Sequence, residues 1–207
     1  MGSINPRNFP TIRPNDTGNG FTLLEVLIAV FVLAIGVLGL AAMQMASKQS
    51  GAEASQRTIS AQLAFGLLER MRLNARATPS PLGQYLSQGA SLSSLAQLSA
   101  VVDCATASCT PAQLADFDLH SVFSSALGAH EQRATNLVGG LNTPTLCVTR
   151  PSGGGADTYR VTIAWRGKAA LTNGNEENRC GSGRTTEAEY GAGLEYRRIL
   201  FVTTFIP

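Results

Sequence analysis

A single carboxylate interrupts the apolar segment near the N-terminus. Residues 20–25 read GFTLLE, and the eighteen residues from Val26 to Met43 carry no charged side chain. An ion in such surroundings is costly unless it is paired or hydrogen-bonded. Thr22 and Glu25 have the spacing of a capping box, in which the hydroxyl and the carboxylate bind free backbone N–H groups of a first helical turn. Glu25 therefore either caps a helix or pairs with a positively charged group.

Four cysteines offer a second kind of chemistry: Cys104, Cys109, Cys147 and Cys180. All follow the apolar segment, and an even number in that position favours disulfides in an oxidising compartment. Three connectivities are possible. We expect Cys104 to pair with Cys109 locally, and Cys147 to pair with Cys180 across a long loop. A zinc site is the alternative, but 32 residues separate Cys147 from Cys180, unlike the close pairs of structural zinc sites.

The other polar residues form no catalytic or cofactor-binding pattern. His120 and His130 are ten residues apart and have no evident third ligand, so we expect no metal site. The glycines at 153–155 lack the Lys-Ser/Thr of a phosphate-binding loop. No serine, histidine and aspartate order stands out. We predict a protein that is not an enzyme and has no catalytic residue, cofactor or small-molecule substrate.

The segment from Phe21 to Met43 predicts a membrane-spanning helix. Its 23 residues reach about 34 Å at about 1.5 Å per residue, enough for a hydrocarbon core of ~30 Å. Arg7 and Arg13 precede it and place the N-terminus in the cytoplasm, so the cysteines face the periplasm or exterior. A cleavable secretory signal and an uncleaved anchor are the alternatives. Secretory apolar regions are usually shorter and do not begin with a carboxylate.

Length and charge limit the number of domains and the kinds of partner. The chain has 207 residues, which suits a leader or membrane segment plus one compact domain. Only 14% of residues are charged, the formal net charge is +2, and no block of lysine and arginine provides a nucleic-acid footprint. Residues 1–20 contain three prolines and three glycines without periodicity. They are expected to form a disordered leader.

An amphipathic stripe continues the apolar helix. Ile59, Leu63, Leu67 and Met71 recur at helical spacing, so the two parts together predict one long helix. We expect it to end near Ala77, ahead of a proline, and to pack its second half on a sheet. A coiled coil is the alternative, which the glycines in this stretch disfavour.

The remaining chain predicts an α+β domain with an antiparallel sheet. Residues 79–100 have no period and are expected to form a variable loop. Thr110, Pro111 and Gln113 supply an N-cap, an N1 proline and a capping-box glutamine for a short helix that ends before Gly128. Strands are predicted over residues 145–149, 159–166 and 197–206. The second is expected to be half-buried, and the third more fully buried.

The opening motif resembles a known family. Residues 20–25 followed by a long apolar helix resemble the class III leader junction of type IV prepilins and pseudopilins. That resemblance implies cleavage between Gly20 and Phe21 by a prepilin peptidase, and N-methylation of the new amine on Phe21. It also implies that Glu25 meets the N-terminal amine of a neighbouring subunit. The fold it implies is that of a type IV pilin, with a long N-terminal helix whose first half spans the membrane.

Five further stretches resemble the minor pilins of the PilV type: residues 34–44, 67–77, 103–119, 159–167 and 196–206. This resemblance implies a protein that primes assembly of a type IV pilus and belongs to a tip complex for adhesion and twitching motility. The implied partners are other minor pilins, the major pilin, the prepilin peptidase and the inner-membrane assembly platform. A pseudopilin of a type II secretion system is the alternative, followed by a single-pass anchored receptor or adhesin.

The same resemblance implies a division of the chain. Residues 1–20 would be the leader, 21–45 the transmembrane half of the helix, 46–77 its periplasmic amphipathic half and 78–207 a periplasmic globular α+β domain. Contact with the membrane would run from Phe21 to Met45. The protein would cross the bacterial inner membrane once, with its C-terminus in the periplasm, and later reach the pilus tip at the cell surface.

Overall fold

The computed structural model describes residues 20–98, 101–129, 131–134, 136–171 and 179–207. Its helices are α1 (Leu23–Asn74), α2 (Leu82–Gln88) and α3 (Pro111–Ala126), with a 3-10 turn at Leu95–Gln97. Its strands are β1 (Gln132–Arg133), β2 (Asn136–Leu137), β3 (Thr145–Thr149), β4 (Thr158–Arg166) and β5 (Arg197–Phe205). The chain divides into two compact units, Met1–Ala46 and Ser47–Pro207. All but the last residue of the predicted leader lies outside the described residues.

The first unit contains the apolar start of α1. Every residue from Gly20 to Ala46 is exposed. Among the described helices, α1 alone is long and apolar enough to cross a membrane, with an 18-residue window of mean hydropathy 2.9. Exposed apolar side chains along a helix are suited to lipid or to other helices. This part of α1 is therefore built for non-aqueous surroundings, as the sequence predicts.

The second unit is organised around a three-stranded antiparallel sheet in the order β3-β4-β5. Cys147 lies opposite Thr162 in the β3–β4 pair, and Thr162 lies opposite Phe201 in the β4–β5 pair. β1 and β2 form a separate two-stranded ladder. The order of one long helix followed by antiparallel strands confirms the predicted α+β arrangement.

The main core lies between the helices and one face of the sheet. The second half of α1 contributes a buried stripe in which Leu67 and Met71, at 0% exposure, match the predicted apolar positions. Ile59 and Leu63 pack at the margin and are partly buried. The stripe packs with buried residues from the sheet and the other two helices: Tyr85, Leu119, Val122, Phe123, Leu146, Val148, Val161, Ile163 and Trp165.

β4 is more deeply buried than its alternating sequence predicts. Its predicted apolar face is buried in the main core, but Thr162 and Ala164 on the other face are also buried, at 1% and 0% exposure. A second, smaller core covers them, built from Cys147, Cys180 and Tyr190. The prediction of a half-buried strand was wrong because β4 is the central strand and the loop carrying Cys180 folds over its outer face.

β5 departs from prediction in the opposite direction. Only Arg197 is buried in it; the other residues are intermediate or exposed, and Phe201 and Phe205 are 45% and 62% exposed. Among the described strands β5 pairs only with β4, so it lies at the edge of the sheet. An apolar run alone does not distinguish a buried strand from an edge strand. The prediction of a more fully buried strand was therefore wrong.

α3 begins and ends as its sequence predicts. Thr110 Oγ1 accepts a hydrogen bond of 3.3 Å from the backbone N–H of Gln113, and Gln113 Oε1 accepts one of 2.9 Å from the backbone N–H of Thr110. Pro111 occupies the first helical turn. After the last turn Gly128 adopts φ of +76°, the left-handed conformation that favours glycine. Both ends of this helix are confirmed.

The segment predicted as a loop contains regular structure. α2 buries Leu82 and Tyr85, and Leu92 forms two backbone hydrogen bonds of 2.8 Å with Leu146 at the free edge of β3. Two short elements over so few residues cannot show a helical period, which is why the prediction failed. α1 also ends at Asn74 rather than near Ala77, because the next residues form a turn.

Candidate functional site

The start of α1 holds the predicted processing residues. Gly20 and Phe21 precede the helix and are exposed, Phe21 by 82%. Thr22 closes the first turn: its Oγ1 accepts a hydrogen bond of 3.2 Å from the backbone N–H of Glu25, and its carbonyl oxygen accepts another of 3.0 Å from the same N–H. The threonine half of the predicted capping box is therefore formed. The Gly20–Phe21 peptide bond lies just ahead of the helix, in exposed chain without regular secondary structure.

Glu25 projects from the first turn of α1 with an exposed side chain. A carboxylate at this place is favoured by the positive end of the helix dipole. Its apolar neighbours Leu23 and Leu24 are 83% and 66% exposed. An acid among exposed apolar side chains can accept a cation brought by another chain. The arrangement suits recognition between helices.

Both expected cysteine pairs are bonded in the second unit. Cys104 and Cys109 form a disulfide of 2.01 Å that immediately precedes the N-cap of α3. Cys147 and Cys180 form one of 2.07 Å, which ties β3 to the loop covering the outer face of the sheet. Both thiol pairs are consumed by these bonds, so the zinc alternative is not supported. Among the described residues no group of three or more His, Cys, Asp or Glu side chains could hold a metal.

The two histidines do not form a site in the described part of the chain. His120 lies in α3 and is partly buried. His130 lies outside the described residues.

A buried polar network joins α1, α2 and α3, and sequence reasoning missed it. The Tyr85 hydroxyl donates to Asp118 Oδ2 at 2.5 Å, and Arg70 Nη1 contacts Asp118 Oδ1 at 3.1 Å. Asn74 Nδ2 donates to the Tyr85 hydroxyl at 3.2 Å and to the Pro111 carbonyl at 2.9 Å. Burial and the neighbouring Asp118 raise the pKa of Tyr85 far above its usual range. The network fixes three helices by polar contacts.

A second buried tyrosine closes the outer core. The Tyr190 hydroxyl donates to the Thr143 carbonyl at 2.8 Å and lies 3.0 Å from Thr145 Oγ1. Burial raises its pKa, while the hydrogen bond to Thr145 acts in the opposite direction. Arg184 stacks over the Tyr190 ring at 5.6 Å and forms an ion pair of 2.8 Å with Glu189. These contacts hold the covering loop on the sheet.

Two family models match the chain. The model described as the prokaryotic N-terminal methylation motif matches residues 18–41, which include Gly20, Phe21 and Glu25. The model described as type IV pilin Tt1218 matches residues 42–120, which include the second half of α1, the first disulfide and the start of α3. The chain is a type IV pilin-like protein. No curated protein and no solved structure gives a significant match.

Type IV pilin-like proteins are structural subunits and not enzymes, as the sequence predicts. The methylation motif and the apolar start of α1 fit a membrane-anchored pilin. Membership also implies contact with other pilins and with a prepilin peptidase. The exposed apolar surface of the first unit is suited to such contacts.

Sequence signals for the missed network were present but weak. Asp118 follows the apolar Phe117 in α3, and Arg70 lies beside the apolar stripe of α1. A charged residue on each of two amphipathic helices predicts a pair only when the helices are known to pack together. The sequence does not specify that packing, and Tyr85 lies in a segment predicted as loop.

Proposed function

We propose that this protein is a minor pilin of a type IV pilus, of the PilV type, which primes pilus assembly and forms part of the complex at the tip. The observation that carries the proposal is the methylation motif at residues 18–41, which covers an exposed apolar helix start with one carboxylate in its first turn. The pilin match over residues 42–120 supports it, since that range contains the paired cysteines Cys104 and Cys109. Adhesion and twitching motility would depend on this tip complex.

The proposed processing follows from the start of α1. Prepilin peptidase cleaves between Gly20 and Phe21 and methylates the new amine on Phe21. The bond lies in exposed chain without regular secondary structure, before the capped first turn, which supports access by a peptidase. The new cationic amine then pairs with Glu25 of an adjacent subunit. A charge pair among apolar helices tolerates loss of one partner poorly, so it makes assembly sensitive to the register of neighbouring helices.

The proposed topology has four parts. Residues 1–20 are the leader, 21–45 cross the inner membrane, 46–77 continue the helix in the periplasm and 78–207 form the periplasmic domain. Two disulfides in the last part support an oxidising compartment. The partners are other minor pilins, the major pilin, the prepilin peptidase and the assembly platform. Assembly transfers the protein from the inner membrane to the pilus tip.

Mass spectrometry of the mature N-terminus tests the processing. The expected terminus is N-methyl-Phe21, and it should disappear when Gly20 is replaced by alanine or when the peptidase is deleted. An intact Met1, or a terminus within the apolar segment near Ala41, would contradict the proposal and support an anchored receptor or a secretory signal.

Two further measurements separate a pilus from a secretion system. Deletion of the gene should reduce surface pili seen by electron microscopy and should leave secretion of exoproteins unchanged. Full piliation with impaired secretion would instead support a pseudopilin. In the pilus case, Glu25→Gln should give processed protein that remains in the membrane fraction, whereas Glu25→Asp should retain part of the incorporation. Normal incorporation of Glu25→Gln would refute the proposed amine pair.

A further inference from the structure

Strand β5 has one side that no described strand pairs with. In an antiparallel ladder, residues whose backbone groups bond to the neighbouring strand alternate with residues whose backbone groups point away from it. Just before β5, the Gly167 N–H donates to the Tyr196 carbonyl at 2.7 Å. Just after it, the Ile206 N–H donates to the Asp157 carbonyl at 2.8 Å. Both bonds lead to the same pattern, in which the even-numbered residues of β5 bond to β4 and the odd-numbered residues point outward.

The outward residues Phe201, Thr203 and Phe205 form an open edge. Among the described residues, their backbone N–H and C=O groups bond to no other backbone group. Their side chains are also exposed, that of Phe205 by 62%. Proteins usually protect such an edge with a proline, a lysine or a bulge. β5 contains neither residue, pairs with β4 without a bulge, and carries its only charges at its first two positions. This edge is therefore suited to pairing with a further strand.

The opposite edge of the sheet is closed by the protein's own chain. Leu146 of β3 exchanges two backbone hydrogen bonds of 2.8 Å with Leu92. The Val148 N–H donates to the Gly89 carbonyl at 2.6 Å. Another chain can therefore extend the sheet at β5 but not at β3. A row of copies in which β5 of one pairs with β3 of the next is disfavoured for the same reason.

Pairing between the β5 strands of two copies also fits poorly. A symmetric pair of edge strands within one sheet runs antiparallel. The second half of α1 runs alongside β5 in the same direction, because Glu53 contacts Arg198 near the start of β5 at 3.6 Å. Farther along the helix, Arg72 donates to Thr204 Oγ1 near the end of β5. Two copies joined in this way would hold the second halves of α1 in opposite directions, which does not suit subunits anchored in one membrane.

Side chains beside the open edge indicate the chemistry of the partner. Phe201 and Phe205 lie on the outer face of the sheet and present apolar surface there. The Arg160 guanidinium stacks over the Phe201 ring at 4.9 Å, and its Nε donates to Thr203 Oγ1 at 3.2 Å. Both contacts are to neutral groups, and in the described part of the chain Arg160 forms no salt bridge. A strand that brings apolar side chains and one acid to this face is complementary in shape and charge.

We propose that the open edge of β5 binds an extended strand of a neighbouring pilin-like subunit, so that the sheet continues from one protein into the next. The backbone groups of Phe201, Thr203 and Phe205 provide the hydrogen bonds. Contacts with the two phenylalanine rings and an acidic side chain near Arg160 provide specificity. Because one edge of the sheet is open and the other is closed, each copy accepts one such strand. This interaction rests on membership of the pilin family and does not require the role at the pilus tip.

Substitutions at Thr203 separate backbone pairing from side-chain contacts. Thr203→Pro removes an outward N–H and places a ring on the open edge, while the bonds to β4 remain. Thr203→Val keeps the N–H and is the matched control. The tagged full-length protein is co-expressed with each other chain of the same organism that carries an N-terminal methylation motif, one at a time, and is purified in uncharged detergent.

We expect one of these chains to co-purify with the unchanged protein and with Thr203→Val. Its yield should fall about tenfold or more with Thr203→Pro, because the strand loses a hydrogen bond and meets the ring. Arg160→Gln should weaken the same complex through loss of the charge. Arg160→Lys should retain part of the binding, because the charge remains.

Hydrogen exchange of single backbone amides tests the strand pairing itself. In the isolated protein the amides of Phe201, Thr203 and Phe205 should exchange rapidly, whereas those of Val202 and Thr204 bond to β4 and should exchange slowly. In the complex the three outward amides should slow by about tenfold or more. Slow exchange at Val202 and Thr204 also checks that Thr203→Pro keeps its fold. If that variant does not fold, the exchange of the unchanged protein decides the question.

Several results would overturn the proposal. They are the absence of a co-purifying chain, equal yields with Thr203→Pro and Thr203→Val, or slow exchange of the outward amides in the isolated monomer. A homodimer in solution that disappears in Thr203→Pro would assign the edge to a second copy instead. Cleavage after Gly20 and surface piliation are measured separately, so a negative result here would leave the proposed function standing.

Discussion

The Tyr85 hydroxyl donates a hydrogen bond of 2.5 Å to Asp118, which joins α2 to α3 within the second unit. The same carboxylate contacts Arg70 of α1 at 3.1 Å, so one acid connects three helices. The Asp118 side chain is 7% exposed, whereas that of Arg70 is 42% exposed. Water screens the arginine end of the pair, and the buried hydrogen bond from Tyr85 is the stronger contact.

Replacing Asp118 should destabilise the second unit. Asp118→Asn keeps the shape but removes the charge, which weakens the contacts to Tyr85 and Arg70, and we expect the free energy of unfolding to fall by about 2–3 kcal/mol. Urea denaturation of the detergent-solubilised protein measures this change. Glu69→Gln is the control, since Glu69 pairs with Arg72 on the exposed side of α1 and should have little effect. Equal effects of the two substitutions would contradict the role assigned to Asp118.

The buried tyrosines should make the fold sensitive to alkaline pH. Burial raises the pKa of both Tyr85 and Tyr190 above the value of about 10 that tyrosine has in an unfolded chain. Below that pH both states keep the proton, and the stabilisation is complete. Above it the unfolded chain loses protons that the folded protein retains. The free energy of unfolding should therefore fall as pH rises, by about 1.4 kcal/mol per pH unit for each tyrosine.

Urea denaturation between pH 8 and pH 11.5 measures this dependence. Tyr190→Phe should make the fall of the unfolding free energy with pH less steep, because one buried tyrosine no longer titrates. It also removes the hydrogen bond to the Thr143 carbonyl at every pH. Absorbance at 295 nm should show tyrosinate formation accompanying unfolding. A slope above pH 10 that is the same in Tyr190→Phe as in the unchanged protein would refute this account.

The two disulfides should differ in their contribution to stability. The Cys147–Cys180 bond closes a separation of 33 residues, and the Cys104–Cys109 bond one of 5. In the chain-entropy description, loops of these lengths stabilise by roughly 3–4 and about 2 kcal/mol. Replacing both cysteines of one pair by alanine, in separate variants, allows the comparison by urea denaturation. A larger loss from the 104–109 pair would show that loop length does not govern the effect.

The N-cap of α3 offers a local test. Thr110→Ala removes the acceptor for the Gln113 backbone N–H and should lower the free energy of unfolding by about 1 kcal/mol. Thr110→Ser keeps the hydroxyl oxygen and should recover most of that loss. Chemical denaturation of both variants provides the measurement. If serine proves as harmful as alanine, the threonine methyl group and not its hydrogen bond stabilises this helix start.

The sequence predicts the parts of this fold that depend on neighbouring residues in the chain. The long apolar run predicts α1, the Thr110–Gln113 capping box predicts the start of α3, and alternation predicts β4. Each of these signals lies within one continuous segment. The residues at the start of α1 can also be predicted from one continuous segment, because the GFTLLE motif is recognised without any knowledge of tertiary structure.

The features that depend on packing could not be predicted in this way. Burial of Thr162 requires the loop that carries Cys180, and exposure of Phe201 requires β5 to lie at the sheet edge. The contact between Tyr85 and Asp118 joins residues 33 positions apart. Such relationships arise only when the order of strands and helices in space is known.

In the first turn of α1, Thr22 provides the helix cap and Glu25 provides the exposed carboxylate. In a complete capping box the acid would also bind the helix start. Thr22 alone accepts the Glu25 backbone N–H through its side chain, and that bond does not involve the Glu25 carboxylate. An amide at position 25 should therefore leave the beginning of the helix intact. A protein altered there would be a well-folded monomer whose only defect concerns its neighbours, so any failure to enter a filament reports directly on the encounter between subunits.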